Sequence, residues 1–142
     1  MTDRPLPIVS SDCHIGPRLV EDLRPYCPPD LLTQFDAFAN AEDRPHGRFV
    51  EQSGDDAGSM APWRNRWTPG HHDPEARRRD LDHEGVAAEI IFHGSQNDQP
   101  IPFQPTMLGA PADPELAAAG LHIYNRWLAD FSNTQPKRHV GL

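Results

Sequence analysis

The spacing of apolar residues changes period several times along this chain, and each change marks an element. Residues 6–11 read as a short strand, with Pro7 tolerable only near its start. The strand runs into Asp12-Cys13-His14-Ile15, and Gly16-Pro17 breaks it. Leu31, Phe35 and Phe38 fall at i, i+4 and i+7 and predict a helix over 29–40. From about 41 to 72 the sequence is polar, rich in Gly and Pro, and without a period. At about 30 residues this insertion far exceeds an ordinary connection, so it reads as a functional excursion or a mobile segment. Met60, Trp63 and Trp67 argue that part of it packs, either as plain loop packing or as a roof over a site.

The second half is more regular. Asp73-Pro74-Glu75 has the chemistry of a helix start, with a capping carboxylate, proline at the first helical position and an acid in the first turn. That helix should run to Glu84 and stop at Gly85. Val86 to Phe92 is mostly apolar, the pattern of a strand buried on both faces of a parallel sheet. A proline-rich loop over 95–112 precedes Asp113-Pro114-Glu115, which repeats the helix-start pattern. Ala117, Leu121, Tyr124, Leu128 and Phe131 then hold a 3.6-residue stripe until Pro136 forbids continuation. His139 to Leu142 looks like the opening of a third strand. Strands alternating with helices predict β/α units around a parallel sheet. A third strand of that kind wants neighbours on both sides, so the chain reads as the front portion of a larger protein.

Composition narrows the partners. The 142 residues carry 13 basic and 21 acidic side chains, a net charge of −8. Such a chain, with no segregated basic face, is a poor match for nucleic acid or an anionic membrane surface. Arg77-Arg78-Arg79 is the only basic run, and Asp80, Asp82 and Glu84 follow it at once, the pattern of a solvated helix face with internal ion pairs. No apolar run approaches the length of a transmembrane helix, and the start has no signal-peptide shape. Cys13 and Cys27 are too few and too far apart for a disulfide framework or a Cys-x-x-Cys pair. A cytoplasmic protein with reduced thiols is the expectation. Sixteen prolines point to long connections between a few regular elements.

Chemistry concentrates at Asp12 and His14. Positions i and i+2 of a strand face the same side, so both groups project together from the carboxyl end of the first strand. Ligand sites of α/β folds gather at that end. A carboxylate and an imidazole there suit a divalent ion, Zn²⁺ or Mn²⁺. The bland alternative is an Asp capping a turn with a His packed beside it. Cys13 should point the other way, into the strand–helix layer, as an ordinary buried thiol.

The stretch from Ile8 to Pro17, Ile-Val-Ser-Ser-Asp-Cys-His-Ile-Gly-Pro, resembles the opening of the amidohydrolase-related metal-dependent hydrolases. More narrowly, it resembles their aminocarboxymuconate-semialdehyde decarboxylase-like branch. Residues 73–92 look like that family's helix leading into its second strand, and 124–142 like its second helix entering strand three. The similarity is weakest over 41–70. It implies the amino-terminal part of a (β/α)8 TIM-like barrel, incomplete in residues 1–142. It also implies Asp12 and His14 as metal ligands, with a small organic molecule as substrate. The reaction would be hydrolysis of a C–N or C–O bond, or decarboxylation. The family's later His ligand and its Asp after the last strand have no counterpart here, so the catalytic acid and base are unassigned and this chain alone should be inactive. A homo-oligomer is compatible with this reading. The alternative is a catalytically incomplete fragment or a non-enzymatic binding module.

Among the other histidines, His93 follows the second strand and can either line the pocket mouth or simply cap the strand end. His71 and His72 diverge as neighbours and read as loop residues. His46, His83, His122 and His139 have no partner at ligand spacing and read as surface or packing residues. No Gly-x-Ser-x-Gly elbow, phosphate loop or Gly-x-Gly-x-x-Gly is present.

Overall fold

The computed structural model describes residues 6–42, 68–94, 101–104 and 113–142. The expectations for Met60, Trp63, Trp67 and His46 lie outside the described residues. Three strands form one sheet: β1 (Ile8–Ile15), β2 (Val86–His93) and the short β3 (His139–Gly141). All neighbours run parallel, in the order β1-β2-β3. Among the described residues three α-helices accompany them: α1 (Leu32–Glu42), α2 (Pro74–Glu84) and α3 (Pro114–Asn133).

The punctuation read in the sequence sets the helix ends. Asp73 Oδ1 accepts from the backbone N–H groups of Glu75 and Ala76 at 2.8 and 3.1 Å. Asp113 Oδ1 does the same for Glu115 and Leu116, at 2.8 and 3.3 Å. Each cap satisfies two donors that the first helical turn leaves unpaired. Gly85 ends α2 at φ 70°, a left-handed conformation that a Cβ would strain.

Sheet register decides which side chains meet the helices. Glu89 and Ile91 share one face of β2, and their partners in β1 are Ser10 and Cys13. On the same face in β3 lie His139 and Gly141. Both α2 and α3 cover this face. Arg77 of α2 reaches Glu89, the ring of Phe131 of α3 lies 5.5 Å from that of His139, and Leu128 presses on Gly141. The apolar core fills the remaining space, where Ile15, Ile91, Leu23 and Phe35 meet Ile123, Trp127, Leu128 and Phe131. Ile101 and Phe103 join it, with the Phe103 ring edge-on to Phe35 at 6.1 Å. These two apolar residues thus anchor a stretch that the sequence pattern assigns to a proline-rich loop.

Two expectations are corrected. First, the described residues make a small α/β domain around an open three-stranded parallel sheet, and not part of a (β/α)8 barrel. Alternating strands and helices specify parallel crossover connections, which open sheets and barrels share. Closure depends on strand number, tilt and stagger, which periodicity does not encode. The α/β class itself stands. Second, β2 is not buried on both faces: Glu89 and Ile91 are buried, while Ile90 and Phe92 on the other face are only half-buried. Both edge strands carry exposed apolar side chains, Ile8 and Val9 on β1 and Val140 on β3. No helix among the described residues is long and apolar enough to cross a membrane.

Candidate functional site at the carboxyl ends of two strands

Asp12 and His14 do meet. His14 Nε2 lies 3.1 Å from Asp12 Oδ1. The other ring nitrogen, Nδ1, is 2.8 Å from the main-chain oxygen of His93, at the end of β2. A carbonyl oxygen can only accept, so Nδ1 carries a proton and donates it. In a neutral ring Nε2 is then a bare lone pair, facing a carboxylate oxygen. Two lone pairs at that distance repel, and a proton on either group or a metal ion relieves the repulsion. The ring is also held from the side, with its centroid 5.9 Å from that of Phe92, its register partner in β2. The chain just beyond the strand is fixed by backbone. Gly16, just past β1, is buried and donates its N–H to the His71 carbonyl at 2.9 Å.

This geometry fits a divalent ion in kind. One carboxylate oxygen and one imidazole nitrogen form a donor set suited to Zn²⁺ or Mn²⁺, and the Nδ1–H to carbonyl bond is the second contact that metal-binding histidines use to fix their tautomer. The number of donors is two. Among the described residues no group of three or more His, Cys, Asp or Glu converges as a fuller site would. The Asp12 side chain is 79% exposed and that of His14 is 23% exposed, so the pair sits at an open surface. His93 is exposed at the same strand end. Partial burial, and secondarily the neighbouring His14, push its imidazole below the usual range. His93 thus stands beside the pair at the strand end, compatible with either role expected of it.

A second polar cluster lies on the opposite, helix-covered face. The Glu89 carboxylate is wholly buried and is gripped by Arg77, whose Nε lies 3.0 and 3.1 Å from its two oxygens and whose Nη2 also contacts Oε2. His139 Nδ1 is 2.9 Å from Glu89 Oε1, and the ring is fully enclosed. Its Nε2 has no hydrogen-bond partner among the described residues. Burial pushes the Glu89 carboxyl up, but His139, Arg77 and Cys13 outweigh it and bring the group down to about 2. Cys13 completes the cluster. Its Sγ donates to Ser10 Oγ at 2.9 Å, and Ser10 is the register partner of Glu89. Burial pushes this thiol up, away from nucleophilic character.

The placement corrects several readings. Arg77 leaves the expected solvated face and turns inward to Glu89. Arg78 behaves as expected, bonding Glu75 at 3.1 Å and Asp82 at 2.8 Å. His139 has a charged partner, and His71 is buried in the short turn Pro69–His71. His83 and His122 are exposed. Glu89 is the residue that sequence reading missed. Its signal was a single carboxylate at the centre of an otherwise apolar strand, where an unpaired charge would be prohibitive. Comparison of the chain with protein-family models, with curated proteins and with solved structures gave no match.

Proposed function

We propose that this chain carries part of the site of a divalent-metal-dependent hydrolase or carboxy-lyase acting on a small organic substrate. Asp12 and His14 are the ligands, and His93 lines the pocket. The observation that carries the reading is the His14 imidazole: its Nδ1 is anchored on the His93 carbonyl while its Nε2 faces Asp12 Oδ1 at 3.1 Å. A divalent ion there supplies Lewis-acid polarisation of a substrate carbonyl or carboxylate. The chain itself supplies position. β1 and β2 hold the ring through backbone, Asp12 contributes the negative charge that a cation needs, and Phe92 gives an apolar flank. The 79% exposure of the Asp12 side chain favours a second reading, reversible ion binding without turnover.

Calorimetric titration with Zn²⁺ and Mn²⁺ tests the site. Wild-type chain should bind one ion weakly, because two protein donors fall short of the usual three or four. His14→Ala should abolish that binding, and His83→Ala, at an exposed position on α2, should leave it intact. Equal binding by wild type and His14→Ala removes the proposal. Metal-stimulated hydrolysis or decarboxylation of small carboxylic acids and amides separates the enzyme from the binding module.

A further inference from the structure

The register of β1 against β2 contains an irregularity beside the candidate site. Ser10 pairs with Glu89 and Cys13 with Ile91, so β1 advances three residues where β2 advances two. Ser11 and Asp12 together oppose Ile90, which is a bulge in β1. Alternation along a regular strand would put Ser10, Asp12 and His14 on one face. The extra residue reverses the alternation at that point. Ser10 and Cys13 now share the helix-covered face, in mutual contact at 2.9 Å, while Asp12 and His14 share the open one. Bulges of this kind bend a strand and re-aim a side chain.

We infer that Ser10, Cys13 and Glu89 are positioning residues for Asp12 and His14, an assignment that rests on the metal-site reading above. Behind the bulge, Cys13 Sγ ties Ser10 Oγ across Ser11 and Asp12, and Ser10 pairs in register with Glu89 on β2. Glu89 in turn is fixed from α2 by Arg77 and from β3 by His139. The chain of contacts therefore runs from α2 and β3, through β2, to the underside of the two residues that present Asp12. With the bulge relaxed, Ser10 would return to the open face and the strand end would rotate. His14 Nδ1 would then lose its alignment with the His93 carbonyl. A buried, satisfied polar network is suited to such a task because every member constrains its neighbours.

The test uses the full 142-residue chain and two readouts, Co²⁺ titration and the ¹⁵N spectrum of the His14 ring, which reports the tautomer without metal. At a pH where the ring is neutral, wild type should hold its proton on Nδ1. Cys13→Ala should populate the second tautomer and weaken Co²⁺ binding about tenfold or more, as loss of outer contacts does at metal sites. Cys13→Ser, whose hydroxyl can replace the bond to Ser10, should restore the wild-type pattern. Ser10→Ala removes the same clasp from its other end, without touching the core, and should shift both readouts in the same direction. A purely structural role would lower the melting temperature of these variants and leave the tautomer unchanged. Retention of the wild-type tautomer and Co²⁺ affinity by both Cys13→Ala and Ser10→Ala overturns the inference and leaves the metal site standing. Absence of Co²⁺ binding in wild type, with a tautomer shift in Cys13→Ala, sinks the metal site and supports the positioning role.

Discussion

Replacing Glu89 by Gln removes one charge from the centre of the sheet and almost no volume, so its effect isolates the electrostatics of the Arg77–Glu89–His139 cluster. Each tenfold change in proton affinity is worth about 1.4 kcal/mol. Holding the Glu89 carboxyl at about 2, against an ordinary value of 4.5, therefore stabilises the fold by about 3 kcal/mol at neutral pH. The folded value is the depressed one. The contribution is thus complete above about pH 5 and fades as the pH falls toward about 2. Glu89→Gln should lose it at every pH and also leave the mostly buried Arg77 guanidinium without its counter-charge. Breaking a buried pair from one side costs about 3–5 kcal/mol, or a fall in melting temperature of about 10 °C or more for a chain of this size. Urea midpoints measured between pH 2 and 7 check both parts. Wild type should show a steep acid limb, and the variant should be less stable at neutral pH with a shallower limb. The joint change Arg77→Met with Glu89→Leu should recover much of the loss, since an apolar pair of similar volume often replaces an ion pair without penalty. A Glu89→Gln variant within about 1 kcal/mol of wild type, the range of an exposed pair, with an unchanged acid limb would refute the reasoning.

Three further outcomes test the fold. Gly120 on α3 should not tolerate Ala, because an added Cβ would lie 1.8 Å from the Pro102 carbonyl oxygen; a thermal melt should show a loss of about 3 kcal/mol or more, above the usual overpacking range. Asp73→Ala should cost about 1 kcal/mol through the two N–H groups it caps, read as a lower urea midpoint with unchanged slope. Gly85→Ala meets no neighbour within 4 Å, so only its positive φ opposes it, and the loss should stay near 1 kcal/mol by the same assay.

Much of the local structure was legible because its determinants are local. A cap needs only its own side chain and the next three backbone groups, and Asp73, Asp113 and Gly85 all act within one turn. The candidate pair was legible for the same reason, since Asp12 and His14 lie two residues apart. The partner of His14 was not. The His93 carbonyl is 79 residues away and is a backbone group that any residue would supply. The bulge was equally invisible, because register is a relation between β1 and β2 and leaves no mark in either strand alone. Barrel closure failed for the same class of reason: the β/α alternation is local, whereas the way a sheet ends is a property of all its strands together.

Glu89 shows how a local anomaly encodes a distant relation. A carboxylate amid Ala88, Ile90 and Ile91 contradicts the apolar pattern of its strand, and that contradiction is informative because a buried charge persists only with partners. Its partners come from both sides of the sequence, Arg77 before it and His139 after it, twelve and fifty residues away by their numbering. One residue thereby couples α2, β2 and β3, and its register partner Ser10 extends the coupling to β1. The two faces of this sheet are therefore unequal in kind. The covered face spends its polar groups on fixing register. The open face holds a carboxylate and an imidazole 3.1 Å apart, at the strand end that this register aims.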